Sequence, residues 1–129
     1  MPTCKLVILC SGNIYRSLSI VQIGEELLKV TPALRPTVLE ILRYFDTNGL
    51  LVPTVHIDRK AQEVTLVYNG WVKGREACTL TVFFAEDNKI EYKYGNTMWI
   101  PSSLESIKKQ VPRIMDYFRN ARSPGNAAP

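Results

Sequence analysis

The sequence predicts an α+β domain: a four- to five-stranded, mainly antiparallel meander packed by two N-terminal helices and one C-terminal helix. Three observations carry that reading. Between Val52 and Ile100 apolar and polar residues alternate through four successive runs, the pattern of strands with one face buried. The turns between the runs are short, which suits antiparallel neighbours, because parallel strands need long crossovers. On both sides of this stretch apolar residues recur at spacings of three and four, the period of a helix face.

The first element is Lys5–Cys10 (KLVILC), an almost wholly apolar run that reads as a strand buried on both faces. Ser11, Gly12 and Asn13 follow as a turn-prone trio. A helix is expected from Ser17, with Ile20, Ile23, Leu27 and Val30 on its apolar stripe and Glu25 four residues before Lys29. Gly24 weakens this helix by about 1 kcal/mol relative to alanine, and Thr31-Pro32 ends it. A second helix starts at Pro36 and runs to about Asp46, its stripe being Val38, Ile41, Leu42 and Phe45. Asn48-Gly49 supplies the stop.

In the meander, Val55 and Ile57 alternate with Thr54, His56 and Asp58, and Val64, Leu66 and Tyr68 with Glu63 and Thr65. Asn69-Gly70 and Lys73-Gly74 mark turns around Trp71 and Val72. Cys78, Leu80, Val82 and Phe84 then share one face, with Thr79, Thr81 and Phe83 on the other. Glu86–Lys89 turns the chain into Ile90, Tyr92 and Tyr94, and Met98–Ile100 reads as a fifth short strand. The C-terminal helix opens at Ser102-Ser103-Leu104-Glu105, a capping-box spacing. Leu104, Ile107, Val111, Ile114 and Phe118 form its stripe, and Pro112 within it predicts a kink or two abutting pieces. Residues 1–122 are therefore expected to form one domain and residues 123–129 a disordered tail.

Composition narrows the function classes. The chain has 129 residues, 46% hydrophobic and 22% charged, as in ordinary globular domains. A net charge of +4 and a pI near 9.1 tolerate acidic partners without requiring them. Cys4, Cys10 and Cys78 include no C-x-x-C pair, and His56 is the single histidine, so neither metal nor cofactor is expected. The apolar run Leu6–Cys10 is too short for a signal peptide or membrane span. A cytoplasmic protein with free thiols is the expectation.

One chemical signature stands out. Cys10-Ser-Gly-Asn-Ile-Tyr-Arg16-Ser17 has the spacing Cys-x5-Arg between an expected strand and an expected helix. A loop closing onto a helix N-terminus aims several backbone N–H groups at one point, which suits a tetrahedral dianion. The same field lowers the pKa of a cysteine held there and makes it a nucleophile. Arg16 suits bidentate grip of two oxygens, Ser17 can donate to the thiolate, and Gly12 permits unusual backbone geometry.

Residues 5–18 resemble the phosphate-binding loop of low-molecular-weight protein tyrosine phosphatases and the related arsenate reductases. Cys10, Gly12, Asn13, Ile14, Arg16 and Ser17 match that loop, Cys-x-Gly-Asn-Ile-Cys-Arg-Ser-Pro. The resemblance implies Cys10 as nucleophile, Arg16 as phosphate clamp, and Gly12, Asn13 and Ser17 as loop-shaping, anion-binding and thiolate-stabilising groups. It also implies a doubly wound parallel sheet and a late Asp-Pro pair that supplies the general acid. Here Tyr15 and Leu18 replace the loop's second cysteine and its proline. Asp46, Asp58, Asp87 and Asp116 are followed by Thr, Arg, Asn and Tyr. Loss of a placed acid costs roughly 10²–10⁴ in rate.

The reading that needs the fewest special assumptions is a small non-enzymatic binding or regulatory module. It would act through protein contacts on its sheet, with a protein partner or a second copy, and with Trp71, Trp99, Tyr92 and Tyr94 as anchors. The Cys-x5-Arg phosphotransfer enzyme is the alternative. A third reading is a nucleic-acid surface that joins the C-terminal helix, where Lys108, Lys109, Arg113, Arg119 and Arg122 lie largely off the apolar stripe, to Trp71 and Trp99 on the meander as stacking platforms.

Overall fold

The computed structural model describes residues 4–9, 14–49, 53–69 and 79–122, and of residues 4, 9, 14–17 and 119–122 the backbone alone. Its elements are β1 (Cys4–Leu9), β2 (Ile14–Leu18), α1 (Ile20–Val30), a 3-10 turn (Pro32–Leu34), α2 (Arg35–Thr47), β3 (Thr54–Asp58), β4 (Glu63–Asn69), β5 (Thr79–Ala85), β6 (Lys89–Tyr94), β7 (Ile100–Ser102), α3 (Leu104–Lys109) and α4 (Val111–Arg122). Among the described residues the strands form one seven-stranded sheet in the order β2-β1-β3-β4-β5-β6-β7. Only β1 and β3 run parallel; every other neighbouring pair is antiparallel. The chain between β1 and β3 carries α1 and α2, the long crossover that a parallel pair demands.

The meander has the predicted phase. β3, β4 and β5 alternate half-buried and buried residues without interruption. Val55, Ile57, Val64, Leu66, Tyr68, Leu80, Val82, Phe84, Ile90 and Tyr92 all point into one core. That core also takes Ile23 and Leu27 of α1, Val38, Ile41 and Phe45 of α2, Ile107 of α3, and Ile114 and Phe118 of α4. The helices therefore cover one face of the sheet, and the other face carries no element among the described residues.

Several expectations are corrected. The helix does not begin at Ser17: Ile14–Leu18 is a strand paired with β1, and α1 begins at Ile20. Ser19 sets that start, its hydroxyl accepting from the Gln22 N–H (3.2 Å) while its own N–H donates to Gln22 Oε1 (2.8 Å). β1 is buried on one face, not both, with Leu6 and Ile8 inward, Lys5 exposed and Val7 half-buried. The last short strand lies two residues later than read, at Ile100–Ser102; Pro101, which has no N–H, is tolerated there because β7 is an edge. The C-terminal helix is two pieces meeting at Gln110, the outcome expected of Pro112. Residues 123–129, expected to be disordered, lie outside the described residues.

Gly24 has a packing reason that its helix penalty did not reveal. A Cβ there would lie 3.0 Å from Leu39 Cδ1, so glycine lets α1 and α2 approach closely, and Arg35 Nε donates to the Gly24 carbonyl at 2.9 Å. At the far end Tyr117 fixes α4 beneath β5: its hydroxyl accepts from the Thr79 N–H (3.2 Å) and donates to the Thr79 carbonyl (3.4 Å).

Candidate functional site

The sheet face opposite the helices is built from the residues left over by the core pattern, and strand register sorts them into rows. One row crosses the sheet as Val7, His56, Thr65, Phe83, Glu91 and Pro101. On one side of it run Lys5, Thr54, Val67, Thr81 and Lys93, and on the other Asp58 beside Glu63 and Ala85 beside Lys89. Thr65, Val67, Thr81 and Phe83 thus make an uncharged centre on β4 and β5, half-buried by their neighbours alone. Charges gather on β1, β3 and β6 and at the turn end of β4. Three lysines (Lys5, Lys89, Lys93) face three carboxylates (Asp58, Glu63, Glu91). Lys89 and Glu91 already lie 3.6 Å apart, and Asp58 Oδ1 accepts from the Ala61 N–H at 3.0 Å in the β3–β4 turn.

An aromatic corner completes the face. The Trp99 ring packs on Phe83 (centroids 5.9 Å) and carries Lys93 Nζ above it at 4.7 Å. Trp99 precedes β7, so reaching Phe83 on β5 lays its ring back across the outward side of β6. Trp99 and Ile100 are 39% and 40% exposed and Met98 is 87% exposed, which makes this the largest run of exposed apolar side chains among the described residues. On the same face burial alone holds the His56 pKa below its ordinary value of 6.5, and so favours the neutral imidazole.

Of the predicted anchors, Trp99 lies on this face and Trp71 lies outside the described residues. Tyr92 and Tyr94 are on the other side, and this corrects their assignment. Tyr92 is a core residue, and Tyr94 packs between Tyr92 (5.9 Å, edge-on) and Tyr117 (4.7 Å). They continue the inward phase of Ile90, and their hydroxyls do not outweigh that periodicity. Phe83 was the missed residue. A phenylalanine in the polar phase of Thr79-x-Thr81-x-Phe83 is the signal that marks it.

Cys10, Gly12 and Asn13 lie outside the described residues. Arg16 and Ser17 fall within β2, whose backbone is extended rather than helical. In a strand successive N–H groups alternate in direction, so those of residues 14–18 do not converge as they would at a helix start. The basic residues of the C-terminal helix also separate from Trp99. Lys108 is engaged by Glu40 in an ion pair and lies 5.3 Å from the Tyr44 ring, beside a groove of ≈ 570 Å³ between α2 and α3. That helix packs on the core side of the sheet, whereas Trp99 lies against Phe83 and Lys93 on the opposite face. Arg119 and Arg122 are described by backbone only. No group of three or more metal-ligating side chains occurs among the described residues, and no described helix is long and apolar enough to cross a membrane.

Comparison with protein-family models, with curated proteins and with solved structures finds no match to this chain.

Proposed function

We propose that the chain is a non-enzymatic binding module that acts through protein contacts on the helix-free face of its sheet. The observation that carries this reading is the composition of that face: an uncharged centre, a tryptophan–phenylalanine corner and a rim of mixed charge. Those are the features of protein-binding patches, which deplete charge at the centre and enrich aromatic residues. A phosphate-tracking surface needs an excess of cations, whereas the outward lysines and carboxylates of β1, β3, β4 and β6 number three each.

The test is site-specific photocrosslinking in the producing cell, with the photoreactive residue at Thr65 on the outer face or at Arg43 on α2. Discrete protein adducts from position 65 and none from position 43 are expected. Equal labelling from both positions, or nucleic-acid adducts from position 65, would overturn the reading. The phosphotransfer alternative is tested separately by titrating phosphate or vanadate against the amide signals of residues 11–17. Unmoved amides and a Cys10 thiol titrating near ~8.5 are the expected result; saturable shifts with a thiolate at neutral pH would replace the binding module with a Cys-x5-Arg enzyme.

A further inference from the structure

We infer that the outer face binds a second copy of this chain, sheet against sheet, about a two-fold axis parallel to the strands and lying between β4 and β5. The inference rests on the reading of this face as a protein-binding surface and names its occupant.

The register of charges points to that axis. A two-fold placed there sets β4 over the partner copy's β5 and β3 over its β6, leaving every row facing itself. Asp58 of one copy then faces Lys89 of the other, since both belong to the row nearest the β3–β4 turn. His56 faces Glu91, both in the middle row. Each pairing occurs twice by symmetry, so four rim contacts join opposite charges or a histidine and a carboxylate. Within the rim, Thr65 meets Phe83 and Val67 meets Thr81, small against large and apolar against β-branched, which suits two interdigitating sheets about 10 Å apart. An in-plane axis perpendicular to the strands would instead set each strand over its own copy and bring Lys93 onto Lys89. The face itself distinguishes the two arrangements.

The size is adequate. About this axis six strands overlap, β4 on β5, β3 on β6 and β1 on β7; about 4.8 Å apart and at most roughly 20 Å long, they give a plane of roughly 500 Å² per copy before side-chain relief, near the lower range of specific interfaces. The four central residues carry no charge to bury, Glu63 at the end of β4 faces Ala85 of the second copy, and Trp99 pads the corner where two twisted sheets splay.

Sedimentation equilibrium of the full chain from about 1 μM to 1 mM tests it, with circular dichroism to confirm the fold of each variant. The chain is expected to pass from monomer to dimer, and Phe83→Lys to weaken the dimer by at least about tenfold. The register is tested by charge exchange. Asp58→Lys and Lys89→Asp should each lose homodimer, and an equimolar mixture should regain dimer, because each altered side chain then meets its complement across the axis. If Asp58→Lys disturbs its turn, His56→Glu mixed with Glu91→Lys makes the same test one row away. A dimer untouched by Phe83→Lys, or mixtures that recover nothing, would overturn the inference. A chain monomeric to ~1 mM overturns self-association alone, because the photocrosslinking result at Thr65 decides independently whether the face binds protein.

Discussion

Phe83 and Phe84 are adjacent residues of the same type on one strand, and they should differ several-fold in what they contribute to stability. Phe84 is 1% exposed and lies among the core residues of the sheet and helices. Its truncation to alanine removes a fully buried ring and leaves a cavity, a change that costs about 3–5 kcal/mol. Phe83 faces the uncovered side, where among the described residues the one ring it packs on is Trp99 at 5.9 Å, with Thr65 and Glu91 beside it across the ladder. An aromatic cross-strand contact on an open face contributes about 0.5–1 kcal/mol. For a domain of 129 residues this corresponds to a Tm loss of roughly 2–5 °C for Phe83→Ala, against more than about 10 °C for Phe84→Ala. Urea unfolding at low micromolar protein, where association contributes least, is the appropriate assay. Phe84→Leu substitutes if the alanine variant does not fold. Equal losses at the two positions would refute the one-sided sheet, because Phe83 would then have to be packed as tightly as Phe84.

Other outcomes follow from single contacts. Ser19→Ala removes the half of the α1 cap that accepts from the Gln22 N–H and should cost about 1 kcal/mol in the same assay; adding Gln22→Ala removes the other half, the bond from the residue 19 N–H, and should cost a further few tenths of a kcal/mol. Thr31 is fully buried, and its hydroxyl has no partner among the described residues; the isosteric Thr31→Val should therefore be neutral or stabilising by roughly 1 kcal/mol. Gln62 sits at φ 56° and its side-chain amide donates to the Val30 carbonyl (3.0 Å) and the Arg59 carbonyl (2.7 Å), so Gln62→Ala keeps the strain, loses both bonds and should destabilise by about 1–2 kcal/mol. His56, held neutral by burial, has a folded pKa below 6.5, so the unfolded chain binds the extra proton first as pH falls. Its contribution is fully present above 6.5 and is lost as pH falls from there toward the folded pKa. His56→Thr should flatten that limb of the stability–pH curve.

The meander was legible because a half-buried strand writes its environment into every second residue, and β3 to β6 keep that phase throughout. The helices were legible for the same reason at a different period, down to the break at Pro112. β2 was not. Its five residues, Ile-Tyr-Arg-Ser-Leu, are too short to establish a period, and they overlap the Cys-x5-Arg spacing that argues for a loop and a helix start. The true start signal, Ser19 with Gln22, stands two residues beyond Ser17; at the C-terminal helix the capping spacing read at Ser102–Glu105 is likewise displaced, because the cap is Ser103, whose hydroxyl accepts from the Ser106 N–H (3.2 Å). That β1 joins the sheet beside β3 also depends on tertiary contact: its register with Thr54–Asp58 spans more than forty residues of intervening chain, and no local pattern encodes it. The candidate surface was half-legible. Trp99, one of the four expected anchors, does lie on the face, whereas Tyr92 and Tyr94 were proposed against their own inward phase.

The placement of charge on the outer face bears on what the face is for. A sheet that only needs solvation is served best by lysine and glutamate at the centre, where they would also discourage stacking on another sheet. Here β4, the central strand of the sheet, and β5 beside it present Thr65, Val67, Thr81 and Phe83, while charge is displaced to β1, β3 and β6 and to the end of β4 at Glu63. Threonine and valine solvate a backbone poorly and pack well on a pleated surface. Central residues chosen for packing and peripheral residues chosen for charge form an arrangement with a direction: complementary pairing is available only when β3 of one molecule lies over β6 of another. Exchange of charge at Asp58 and Lys89 therefore tests more than affinity, because recovery in the mixed sample requires that one orientation.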